Sequence, residues 1–121
     1  ALALAAGVGT ASAGSRPYVV HLTVPSTVVK GSQFAIVAHG VSSNAARLTV
    51  FVAHHSCALT AKKEALTGTL IIHKHVVNSF SYSYAHVATK VGTHRACAYL
   101  TAVLPYSITY ARASKSWTVT P

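Results

Sequence analysis

The chain has 121 residues, 51% of them hydrophobic and 9% charged, and ten Lys and Arg stand against a single acid, Glu64, for a formal net charge of +9 with all eight histidines neutral. It is apolar enough to bury a core, too sparsely charged for intrinsic disorder, and of a length that suits one domain. The shortage of acids excludes most hydrolytic chemistry: paired carboxylates lack their second member, and a Ser-His-acid triad would have to recruit Glu64 from beside Lys62 and Lys63, on what reads as a solvated turn.

Residues 1–13 read as a truncated secretory signal peptide. Ala1 to Val8 is apolar and uncharged, and Ala11-Ser12-Ala13 supplies the small residues that signal peptidase requires, so cleavage is expected after Ala13. The run falls short of the roughly 20 apolar residues of a membrane span, and no later stretch comes closer. The expectation is a secreted protein, extracellular or held at the cell surface, whose one domain covers residues 14–121.

From there the dominant pattern is short runs of Val, Thr, Tyr and Ile separated by Gly, Ser, Asn and Pro, which predicts an all-β domain. Seven strands are expected: Tyr18–Val24, closed by Pro25; Gln33–His39, between Lys30-Gly31-Ser32 and Gly40; Arg47–His54, after a turn at Ser42-Ser43-Asn44; Thr69 to His73 or beyond; Ser79–Val87; His94–Ala102, after Lys90-Val91-Gly92; and Lys115–Thr120. Thr60–Leu66 reads as one or two helical turns between the third and fourth strands. Phe80, Tyr82, Tyr84 and His86 recur at period two, as a stripe facing the core would.

Seven short strands in about 100 residues predict two sheets packed face to face, since a lone sheet of this composition would leave an apolar face in water. Pro25-x-x-Val28-x-x-Gly31-x-x-Phe34, a Cys57 shortly after the third strand and Gly92-x-His94-x-x-Cys97-x-Tyr99-Leu100 resemble secreted bacterial immunoglobulin-like or fibronectin-III-like modules over residues 17–120. The resemblance implies an immunoglobulin-like antiparallel β-sandwich of about seven strands and carries no activity with it.

The chain departs from antibody domains in having no Trp on the third strand and Arg at position 95. Along the sixth strand Ala96, Ala98 and Leu100 share one face and Arg95, Cys97, Tyr99 and Thr101 the other, so an exposed Arg95 turns Cys97 outward. Cys57 takes the parity opposite to Leu48, Val50 and Val52 if the third strand keeps its phase. The third and sixth strands are neighbours in such sandwiches, which predicts a Cys57–Cys97 disulfide within one sheet, on an outer face covered by Thr60–Leu66; a bridge between the sheets is the alternative. Cysteine pairing in an exported chain leaves no thiolate nucleophile, and no glycine-rich phosphate loop opens a helix. The protein is therefore expected not to be an enzyme and to need no cofactor.

Histidine is the one enrichment. His73 and His75, two apart on one strand, point to the same face and would hold Zn²⁺ or Cu²⁺ if a neighbour supplied His54, His55 or His86 as a third ligand. Blue-copper chemistry would need a paired cysteine and the usual methionine, and the chain has no Met. The cations are dispersed in runs of at most two, without aromatics interleaved on one face, which is not a pattern for specific nucleic-acid recognition. Leu104-Pro105-x-Ser107 superficially resembles a sortase signal but lacks its Thr-Gly and hydrophobic tail. The sequence thus predicts a secreted, non-catalytic module with a binding or structural role at the cell envelope, meeting anionic envelope polymer or a membrane surface weakly and electrostatically, or another secreted protein. A divalent-metal-binding sandwich is the alternative.

Overall fold

The computed structural model describes residues 18–103 and 108–121; the signal-like segment 1–13 and Leu104-Pro105-x-Ser107 lie outside the described residues. The described elements are β1 (Tyr18–Thr23), β2 (Thr27–Val29), β3 (Gln33–Ala53), α1 (Ala61–Glu64), β4 (Thr69–Val87), β5 (Gly92–Ala102) and β6 (Thr109–Thr120). The all-β expectation holds, with one short helix inside the stretch expected to be helical.

The strand divisions differ. Two pairs of expected strands are continuous: β3 runs through the supposed turn at Ser42-Ser43-Asn44, and β4 joins Thr69–His73 to Ser79–Val87. Between Ser42↔Asn78 and Ala46↔Val76, β3 carries two residues more than β4, a bulge that bends the ladder without ending it. Its chemistry explains the false turn signal. Ser42 Oγ donates to the Asn44 carbonyl at 2.5 Å, Asn44 Nδ2 donates to Tyr18 Oη at 2.8 Å, and Asn78 sits at φ +62°, so residues that favour turns serve here to satisfy a bulge. Three-residue β2, too short to show alternation, was not expected at all, and β6 begins at Thr109 instead of Lys115.

The bend makes one curled sheet into two facing layers. The first half of β3 pairs with β1 and its second half with β5, both antiparallel and along the same edge, while β4 follows its other edge. Beyond β5 come β6 and then β2, which pairs parallel to β6, so the sheet is mixed and not purely antiparallel. β1 consequently lies across β5 and β6. It approaches β3 closely at Val20↔Gly40, where an added Cβ would strike the Val19 carbonyl, so only glycine fits.

The core fills the space between the layers: Ile36 and Leu48 from β3, Ile72 and Phe80 from β4, Leu100 from β5 and Trp117 from β6. The period-two stripe on β4 holds in kind. Phe80 is buried and Tyr82 and His86 are half-buried, whereas Tyr84 reaches the surface. Even-numbered side chains of β3 from Phe34 to Val50 point inward on both sides of the bulge, since two extra residues preserve parity. Odd-numbered Phe51, Cys97 and Tyr99 therefore point away from that core, into a second cluster.

Candidate functional site

The second cluster is built on the outer face of β3 and β5, where Phe51 pairs with Cys97 in register. β3 ends at Ala53, so Cys57 lies in the following loop and not on a strand continuing in phase; it folds back so that the Cys57–Cys97 disulfide closes with Cα atoms 5.6 Å apart. The staple is thus on the outer face, and the bridge between layers is ruled out. Cys97 points outward yet is fully buried, because Ala61 of α1 packs over it together with Phe51 and Tyr99. Thr60 caps the helix, its Oγ1 accepting from Lys63 N–H at 3.2 Å.

Glu64 corrects the sequence reading, for it is wholly buried and not on a solvated turn. One helical turn directs Lys62 and Lys63 to solvent and the next residue inward. Glu64 Oε1 accepts from Ala58 N–H at 2.8 Å and lies 3.5 Å from Tyr99 Oη, whose shorter bond, 2.5 Å, goes to the Ala58 carbonyl. Oε2 has no hydrogen-bond partner; His55 Nε2 stands 3.9 Å away. Gly68 seals the site, since a Cβ there would come within 2.6 Å of Oε2. Burial first, then the adjoining Glu64 carboxyl, push the Tyr99 phenol up to about 12, against a smaller opposing pull from Arg112. Tyr99 is accordingly a neutral donor that pins the loop.

Beside this cluster a groove of about 340 Å³ runs between the 54–60 loop and β6, lined by Ser56, Cys57, Arg95, Tyr99, Arg112 and Ser114, with Ala113 at its side. Register places Cys97 opposite Ser114 and Tyr99 opposite Arg112. Arg95, expected to be exposed, is half-buried here.

A second cleft, about 270 Å³, opens at the end of the sandwich and gathers His54, His55, His86 and His94 with Lys90 and Trp117. His94 is largely buried, bonded to the Lys90 carbonyl at 2.8 Å, stacked on Trp117 and 4.6 Å between ring centres from His54. Burial, then the neighbouring His94, lower the pKa of His86 from 6.5. His73 and His75 lie elsewhere, exposed on β4 with ring centres 6.4 Å apart. The structure does not bring His54, His55 or His86 to them, because those three line the end cleft, and Arg47 Nη1 instead stands 3.4 Å from His73 Nε2. No three His, Cys, Asp or Glu side chains are grouped to hold a metal ion among the described residues. Also among these residues, no helix is long and apolar enough to cross a membrane.

No protein-family model and no curated protein matches this chain. Its fold is similar to those of solved proteins at low identity. The sulfur carrier protein SoxY of Chlorobium limicola f. thiosulfatophilum superposes with a TM-score of 0.60 at 12% identity, over 84% of this chain and 79% of that one. A CARDB domain from Pyrococcus furiosus, solved with di-metal ions, gives 0.57 at 16% over 84% and 85%. The superoxide reductase neelaredoxin of Ignicoccus hospitalis gives 0.53 at 10% over 85% and 81%. These likenesses define the class, an immunoglobulin-like β-sandwich, and at such identities they define the fold alone.

Proposed function

We propose that the protein is an extracytoplasmic, non-catalytic binding module that associates with anionic cell-envelope polymer. One observation carries this reading: ten Lys and Arg face a single acid, and that acid is buried beneath the 54–60 loop, within ion-pair distance of no Lys or Arg among the described residues. A surface of one sign concentrates polyanions by counterion release and repels its own copies. The disulfide and its buried setting suit an oxidising compartment. Catalysis finds no support in the same inventory, because the sole carboxyl is sealed behind Tyr99 and Gly68 and both thiols are paired.

The test is retention on an acidic polysaccharide and on anionic vesicles over a range of salt and pH. Retention should fall between low and physiological salt and rise from about pH 7.5 to about pH 6, where exposed histidines take up protons. Retention indifferent to both variables would overturn the reading in favour of an apolar, shaped site.

The second reading, a divalent-metal-binding sandwich, rests on the exposed His73–His75 pair. Two imidazoles without a third ligand, beside a guanidinium, make a weak site. Zn²⁺ and Cu²⁺ titration calorimetry decides it: unchanged affinity in His73→Ala, His75→Ala removes the site, and no binding by the parent removes the reading.

A further inference from the structure

We infer that the groove between Arg95 and Arg112 is a localised subsite for one anionic oxygen group, phosphoryl or carboxylate, of an anionic, hydroxyl-bearing envelope polymer. The inference rests on the polyanion reading above and gives it a place in the fold.

The first support is the pairing of β5 with β6. Arg95 and Arg112 project from the same outward face and flank the Cys97–Ser114 pair, so both residues line a single groove. Guanidinium forks match the oxygen pair of a carboxylate or phosphoryl group in a bidentate way that dispersed lysines cannot.

The second is charge balance. No carboxyl group lies within ion-pair distance of either arginine among the described residues, and the one side-chain acid of the chain is buried and accepts from the Ala58 N–H. Arg95, half-buried without a counter-charge, has lost part of its hydration with nothing in return, a deficit that an external anion fills, while Arg112, exposed at the groove's other side, remains free to close on the same anion.

The third is rigidity. The disulfide, the Tyr99 bond to the Ala58 carbonyl, the Ala58 bond to Glu64 and the His55 Nδ1 contact with the Ser56 carbonyl at 2.7 Å hold the loop that walls the groove. A wall already fixed costs little ordering on binding, which separates a subsite from a diffuse surface. Ser56 and Ser114 add hydroxyls beside the arginines, suited to the uncharged hydroxyls of a sugar. Tyr99, the one aromatic of the lining, is buried, so it offers no platform on which a base could stack.

The experiment compares the parent with Arg95→Gln, Arg112→Gln and with a control of equal charge, Lys30→Gln, Lys90→Gln, at two exposed positions outside the groove. Binding of polygalacturonate and of poly(glycerol phosphate) is measured at about physiological salt, after matched thermal midpoints establish that each variant is folded. The arginine pair should weaken binding by at least about tenfold and the lysine pair by no more than about threefold. Loss on one polymer only identifies the recognised group as carboxylate or phosphoryl. Shifts in the amide spectrum of the parent should centre on Ser56, Arg95 and Ser114. Equal losses for the two pairs would overturn the subsite and leave the polyanion reading standing; no binding by the parent would overturn both.

Discussion

Replacing Glu64 separates what its acceptor oxygen does from what its charge does. Glu64→Ala leaves the Ala58 N–H without its acceptor, whereas Tyr99 keeps its bond to the Ala58 carbonyl. An unsatisfied buried donor costs about 1–3 kcal/mol, and the lost packing of a wholly buried side chain adds about 1 kcal/mol, for a total of roughly 2–4 kcal/mol. Glu64→Gln keeps an oxygen where Oε1 stands and removes a group whose second oxygen is unpartnered, so its cost should stay within about 1 kcal/mol. Urea unfolding followed by the fluorescence of Trp117, the one tryptophan and a core residue, reads both. With a slope of about 1.5 kcal/mol per molar, the alanine variant should unfold roughly 1.3–2.7 M earlier. A Gln variant as unstable as the Ala variant would refute the argument, because charge and not acceptor geometry would then hold the loop.

Reduction of Cys57–Cys97, which closes a separation of 40 residues, should lower stability by about 4 kcal/mol in the chain-entropy model, and mass spectrometry of the native protein should find no free thiol. Two alkylatable cysteines in protein isolated without reductant, or an unfolding midpoint indifferent to reductant, would contradict it. His86 predicts an acid-side loss: its folded pKa lies below 6.5, so the unfolded chain takes up the proton first. The stability due to it is complete above the unfolded value, falls as pH drops through 6.5 towards the folded value, and is flat below that. His86→Gln should flatten this part of the urea midpoint against pH, and parallel slopes in parent and variant would count against the assignment.

The layered all-β fold was legible because period-two alternation survives the bulge in β3: Phe34, Ile36, Leu48 and Val50 keep one parity throughout. Strand number was not. Ser42 and Asn44 bond locally whether the chain reverses or merely bulges, and only pairing partners far away in sequence decide between the two. The outer-face staple followed from parity, with Arg95 as the clue to the direction of Cys97, although Arg95 itself proved half-buried and Cys57 left the strand before its phase could matter.

The candidate site was less legible, for a physical reason that begins with Glu64. A lone acid among ten cations reads as a surface residue because charge alone predicts exposure. What reverses that reading is one helical turn capped by Thr60 over the disulfide; the turn and its place were legible in the residues, but which of its side chains faces inward was not. Once Glu64 is withdrawn into the cluster, the surface loses its only side-chain carboxylate and the groove arginines are left without an acidic partner among the described residues. The same burial that fixes the wall of the groove therefore leaves its charge unanswered. Stability and recognition meet in one residue, and Glu64→Gln should leave binding to anionic polymer intact while Glu64→Ala, by loosening Ser56 and Ala58, should weaken it.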